Sequence, residues 1–170
     1  MMSDWVFNVV DRRSREHMAD SDPWMSPPPG LRSPATPEQL IELEGWMGQP
    51  LDADYAEFLL QSDGMEHFYL NMPVLGWQDW AGGEPPQGAR EFRDMMQGEF
   101  CVDAGLAPDV ALAPVSVNED ASRAIFMIPA ETGKGRFLWT GEGDQMFFPT
   151  FRELFECAAG TRDWGDYCAP

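Results

Sequence analysis

The sequence is short of the residues that most enzymes rely on. Its two histidines, His17 and His67, stand far apart, so the usual proton shuttle near neutral pH is scarce. Its three cysteines, Cys101, Cys157 and Cys168, are an odd, widely spaced set without a C-x-x-C pair. Such a set suits neither a disulfide framework nor a structural zinc site, and it fits a reducing compartment. G-x-S-x-G, H-E-x-x-H and G-x-x-x-x-G-K-[ST] are all missing. Gly133-Lys134-Gly135 lacks the remaining glycine of a phosphate loop and precedes a strand, so it reads as a turn. Asp52 and Asp54 begin like a calcium loop, but Tyr55 and Ala56 follow where oxygen ligands and glycine should stand. Both aspartates read better as helix-capping residues. No catalytic residue, metal or cofactor is expected.

Long apolar runs are missing too. Nothing approaches the roughly 18 residues of a membrane-spanning helix. The N-terminus offers neither a basic start nor an uninterrupted apolar stretch, so a cytoplasmic location is expected. Bases are scarce: 11 Lys+Arg stand against 29 Asp+Glu, a net charge of −18. Residues 1–34 hold five acids and four bases, which leaves −17 for residues 35–170. From Pro37 to Glu66 there are eight acids and no base. That field repels nucleic acid and anionic lipid and attracts basic proteins. The expected partner is therefore a basic protein, with neither nucleic acid nor membrane bound. Solubility alone is the other reading of the charge.

What remains is enough to build a core. The 170 residues, 44% hydrophobic and 12% aromatic, fit one domain. Residues 1–34 read as an arm with a Pro-rich linker, Pro27-Pro28-Pro29-Gly30, packing on the domain through Trp5 and Trp24. Trp5 to Val10 suits either a short strand or the start of a helix. Residues 35–160 form the domain, and residues 161–170 a tail. Thr36, Pro37 and Gln39 compose a helix start with a capping box, Leu40, Leu43 and Met47 give one apolar stripe, and Gly48 stops it. Asp52 caps a second helix carrying Tyr55, Phe58, Leu59 and Leu60. Residues 67–77 read as extended, and a third helix covers Ala89 to about Gln97. Leu112–Val117, Ala124–Ile128, Arg136–Thr140 and Gln145–Phe148 are strand segments separated by glycine-rich turns. Thr150 and Glu153 start a closing helix. Helices, then antiparallel strands, then a helix make an α+β fold.

Two sets of residues are candidates for binding a partner. Glu42, Glu57 and Glu66 lie in the base-free stretch, where they could steer a basic protein. Trp77, Asp79 and Trp80 precede the loop Gly82-Gly83-Glu84-Pro85-Pro86, and tryptophan is enriched at binding hot spots. Packing in the core is the competing reading for each ring.

The segment Pro34-Ala35-Thr36 with the helix ending Leu43-Glu44, then Gly48, then Leu51-Asp52-Ala53-Asp54-Tyr55-Ala56-Glu57-Phe58-Leu59 and Asp63-Gly64, resembles the SUKH superfamily of Smi/Knr-type domains. Asp52 stands where the family usually has proline, and Asp63 where it has asparagine. Each keeps the local physics, as helix start and as turn residue. Phe148-Pro149-Thr150-Phe151-Arg152-Glu153-Leu154-Phe155 resembles the family's closing helix, and the resemblance spans about residues 34–159. It implies a mostly antiparallel sheet flanked by helices and no catalytic residues. It also implies an immunity protein that binds and occludes a cognate secreted or contact-delivered toxin, a nuclease among the options. The alternative it offers is a regulatory protein-binding scaffold.

Overall fold

Trp5, Val6 and Val9 share a face only if the chain from Asp4 is helical, and burial of that face decides between strand and helix. In the computed structural model, which describes residues 2–22 and 27–167, helix α1 runs Asp4–Ala19. A strand would have put Phe7 beside Trp5 and Val9; instead Phe7 is 57% exposed while those two are buried. Trp5 meets Phe155 and Phe151 edge-on, at 5.7 and 6.3 Å between ring centroids. The N-terminal segment thus packs on the domain through Trp5, as expected, and Trp5, Val6 and Val9 join the main core. Trp24 lies outside the described residues.

The short strand β1 (Gly30–Leu31) leads to α2 (Pro37–Met47) and α3 (Ala53–Leu59). The start of α2 is set locally: Thr36 Oγ1 accepts the Gln39 N–H at 3.2 Å, and Gln39 Oε1 accepts the Thr36 N–H at 2.9 Å. Gly48 ends it in the left-handed region, φ +70°. Strands β2 (Met65–Tyr69) and β3 (Met72–Val74) pair antiparallel, with β1 on the outer side of β2. The stretch 67–77, expected to be extended, holds most of this hairpin and gives way at its last residue to a 3-10 turn, Trp77–Trp80. Helices α4 (Gln87–Met96) and α5 (Glu99–Asp103) follow, the first where a helix is expected and the second without a sequence signal.

Strands β4 (Ala113–Val117), β5 (Arg123–Met127), β6 (Phe137–Gly141) and β7 (Asp144–Phe148) form an antiparallel sheet in chain order. Leu75 N–H donates to Val115 O at 2.8 Å, linking the two sheets. Helix α6 (Phe151–Ala158) closes the domain; Thr150 Oγ1 accepts the Glu153 N–H at 3.3 Å, while the Glu153 carboxylate turns to Arg162. The fold is α+β.

Side-chain alternation sorts the four-stranded sheet into two cores. Ile125, Met127, Phe137 and Trp139 pack with residues of α1, α2, α3 and α6. Ala124, Phe126 and Leu138 pack with Phe92, Met96 and Cys101 of α4 and α5. Burial on both faces explains why these strands read as apolar runs rather than as alternating ones. In the tail, Trp164 and Tyr167 pack on Phe148. Among the described residues no helix is long and apolar enough to cross a membrane.

One carboxylate oxygen ties two helix starts together. Asp52 Oδ2 accepts the Tyr55 N–H at 3.2 Å and the Phe151 N–H at 3.0 Å, 99 residues away in sequence. Burial raises the Asp52 carboxyl above its ordinary value, against the lowering effect of these two bonds. A pKa raised by folding means that protonation favours the fold. The stabilisation is full below the unfolded value, about 3.9, and is lost as pH rises through the folded one. Asp52→Asn keeps an oxygen for both N–H groups without the buried charge. It is expected to match or exceed the natural protein in urea unfolding near neutral pH, with the difference shrinking on acidification. Asp52→Ala is expected to lose about 1–3 kcal/mol for each N–H left unpaired. An advantage of Asp52→Asn that grows as pH falls would contradict this account.

Candidate protein-binding surface

The surface around the 3-10 turn is organised by a single cation. The Arg32 guanidinium donates from Nη1 to Asp79 Oδ2 at 2.6 Å and to the Asp63 carbonyl at 3.2 Å. It also reaches Glu66, from Nε at 3.2 Å and from Nη2. Burial alone would lower the Arg32 pKa, but the hydrogen bonds to Glu66 and Asp79 outweigh it and hold the value above its ordinary level. Asp79 Oδ2 also accepts the Gly76 N–H at 2.8 Å. The Asp63 carboxylate accepts the N–H groups of Trp77 at 2.6 Å and Gln78 at 3.1 Å. A Cβ at Gly76 would lie 2.2 Å from Asp63 Oδ1, so this approach requires glycine. Two carboxylates and one guanidinium therefore fix the backbone from which Trp77 projects.

The Trp77 ring lies over Trp46, with centroids 6.2 Å apart and planes 23° from parallel, and its Nε1–H donates to Glu42 at 3.0 Å. Both rings are half-buried, and the Trp46 indole N–H has no hydrogen-bond partner among the described residues. Glu38, Glu42 and Trp46 recur at helical spacing along α2, opposite the buried Leu40, Leu43 and Met47. Ile41, on the same outer side, is 69% exposed. Gly83 brings the loop after the turn close to the Trp46 ring.

The six residues expected to bind a partner thus divide. Glu42 and Trp77 meet at the surface. Asp79 and Glu66 lie beside them but are occupied by Arg32, the first largely covered and the second exposed. Glu57 is elsewhere, accepting from the Ser3 hydroxyl and, at 3.2 Å, from Trp5 Nε1–H of α1. Trp80 does not serve as a surface anchor: it is 2% exposed, and its indole N–H donates to Pro114 O at 3.2 Å inside the core. The residue missed from sequence is Trp46. Its signal is there, a large aromatic outside the apolar stripe of its helix and four positions after Glu42.

Among the described residues no three His, Cys, Asp or Glu side chains gather as a metal site requires. Cys101 and Cys157 are buried free thiols, and burial pushes the Cys157 thiol up to about 11. What the surface does offer is aromatic ring area and carboxylates, the groups that recognise a cationic protein surface, together with one indole donor.

Comparison with known protein-family models finds none that matches the chain, and comparison with curated proteins likewise finds no match.

The two tryptophans of the turn should differ in stability. Trp80→Ala is expected to lose about 3–5 kcal/mol in chemical unfolding, as for a large buried ring. Trp77→Ala should lose at most about 1.5 kcal/mol, the worth of an aromatic pair. Equal losses would mean that Trp77 is a core residue and that this surface is not built to display it.

Proposed function

We propose that the chain is an immunity protein of the SUKH type, which binds a basic toxin domain and blocks its active site by occlusion. The observation that carries this reading is the half-buried Trp46–Trp77 pair beside the exposed carboxylates of Glu38 and Glu42, in a chain of net charge −18. Aromatic rings held rigidly by their own protein lose little entropy on binding and suit hot spots. Surrounding negative charge speeds encounter with a cationic partner and repels acidic ones. A protein that must intercept a toxin benefits from both, since fast association sets how soon the toxin is neutralised. The sequence resemblance to the SUKH superfamily supplies the biological class.

The test is rescue. Each secreted or contact-delivered toxin domain encoded beside this chain is expressed with and without it, and growth and binding are measured. One toxin should be bound at micromolar concentration or tighter and its toxicity suppressed, with few others affected. If no such toxin is bound at micromolar concentration, the immunity reading fails.

A further inference from the structure

A second surface, sharing no residue with the Trp46–Trp77 face, is built differently. Helix α4 packs on β4, and a groove of about 410 Å³ remains between α4–α5 and the β6–β7 hairpin. Phe92, Met95, Met96 and Phe100 line one wall, and Thr140 and Gln145 the other. Met95 and Phe100 are 53% and 50% exposed, although each could have been polar at no cost to the core.

The groove runs up to an open sheet edge. Strand β7 is last in its sheet and pairs only with β6 among the described residues. Arg136 N–H donates to Phe148 O at 2.9 Å, so Phe148 turns its backbone toward β6. Antiparallel alternation then turns the N–H and C=O groups of Gln145 and Phe147 outward. No hydrogen bond occupies them among the described residues. Strand β7 itself contains neither proline nor lysine, the usual protections of an edge, though Lys134 Nζ lies over the Phe147 ring, 5.4 Å from its centroid.

We infer that this edge and groove bind an extended, basic segment of a partner protein as an added strand. Main-chain hydrogen bonds to Gln145 and Phe147 supply pairing, and an alternate apolar side chain enters the groove between Met95 and Phe100. The sign of the segment's charge follows from the α4–α5 wall, since the nearby Lys134 is engaged by the Phe147 ring. Glu91 precedes Met95 by one helical turn, and Glu99 precedes Phe100; both are exposed and without a basic partner among the described residues. Arg90 projects from the other side of α4, roughly 200° round the helix from Phe92. A second copy of this chain is disfavoured as occupant, since it would set −18 against −18. The inference stands whether or not the partner is a toxin.

The experiment selects a phage-displayed library of random heptapeptides on the full chain, then maps the winners by amide hydrogen exchange. Peptides alternating apolar with Lys or Arg should be enriched, and the bound peptide should protect the amides of Gln145 and Phe147. Met95→Asp, at an exposed position, should weaken binding about tenfold or more with the melting temperature unchanged, while Ile41→Ser on α2 leaves it intact. Enriched peptides of no such pattern, binding indifferent to Met95→Asp, or no protection in β7 would each overturn the proposal. So would sedimentation showing a dimer whose contact protects β7, which would give the edge to a second copy. Toxin rescue by the Met95→Asp protein keeps this outcome separate from the immunity reading.

Discussion

A guanidinium placed among carboxylates decides how this acidic chain can fold around its own charge. Arg32 joins Glu66 and Asp79, 34 and 47 residues later, and also holds the Asp63 carbonyl. Without it, the junction of β1, β2 and the 3-10 turn would gather three acids with no cation to balance them. Arg32 and Asp79 are largely covered, and removing one partner of such a pair typically costs more than the pair itself contributes, because the charge left behind stays desolvated. The clamp therefore matters less as a source of stability than as a constraint on shape. It fixes the turn, and the turn fixes Trp77.

That constraint changes the meaning of the charge. A net −18 suggests a surface bristling with free carboxylates, yet several of the acids between Pro37 and Glu66 have internal duties. Asp52 caps two helices, Asp63 holds the turn, Glu44 accepts the Leu51 N–H at 2.9 Å, Glu57 binds α1 and Glu66 binds Arg32. Glu38 is exposed, and Glu42 shares its carboxylate with one indole. On the proposed reading, long-range steering still depends on the total charge, and short-range recognition falls to the tryptophans and the carboxylate between them.

Much of the fold was legible in the sequence because its signals are local. Thr36, Asp52 and Thr150 cap helices through bonds to residues three positions on, and glycine ends α2, so their spacing is visible in the chain itself. The strands of the larger sheet stood out as apolar runs between turns. The rest depended on contacts that spacing does not carry. Arg32 sits in a nearly neutral segment and gave no sign that it would serve the acidic one. Trp77 and Trp80 are equivalent as letters, and a carbonyl at Pro114 sends one into the core while Trp46 keeps the other near the surface. Helix α5 is a single short turn after Gly98, too brief to show a period. The N-terminal segment alternated well enough for a strand until burial of Trp5, Val6 and Val9 on one helical face settled it.

The central claim, that the Trp46–Trp77 face is where a basic partner binds, is tested most directly by calorimetric titration of that partner into the Trp77→Ala protein. The claim predicts a loss of about 2 kcal/mol or more, roughly a 30-fold rise in Kd. An unchanged affinity in a variant that still folds would contradict it.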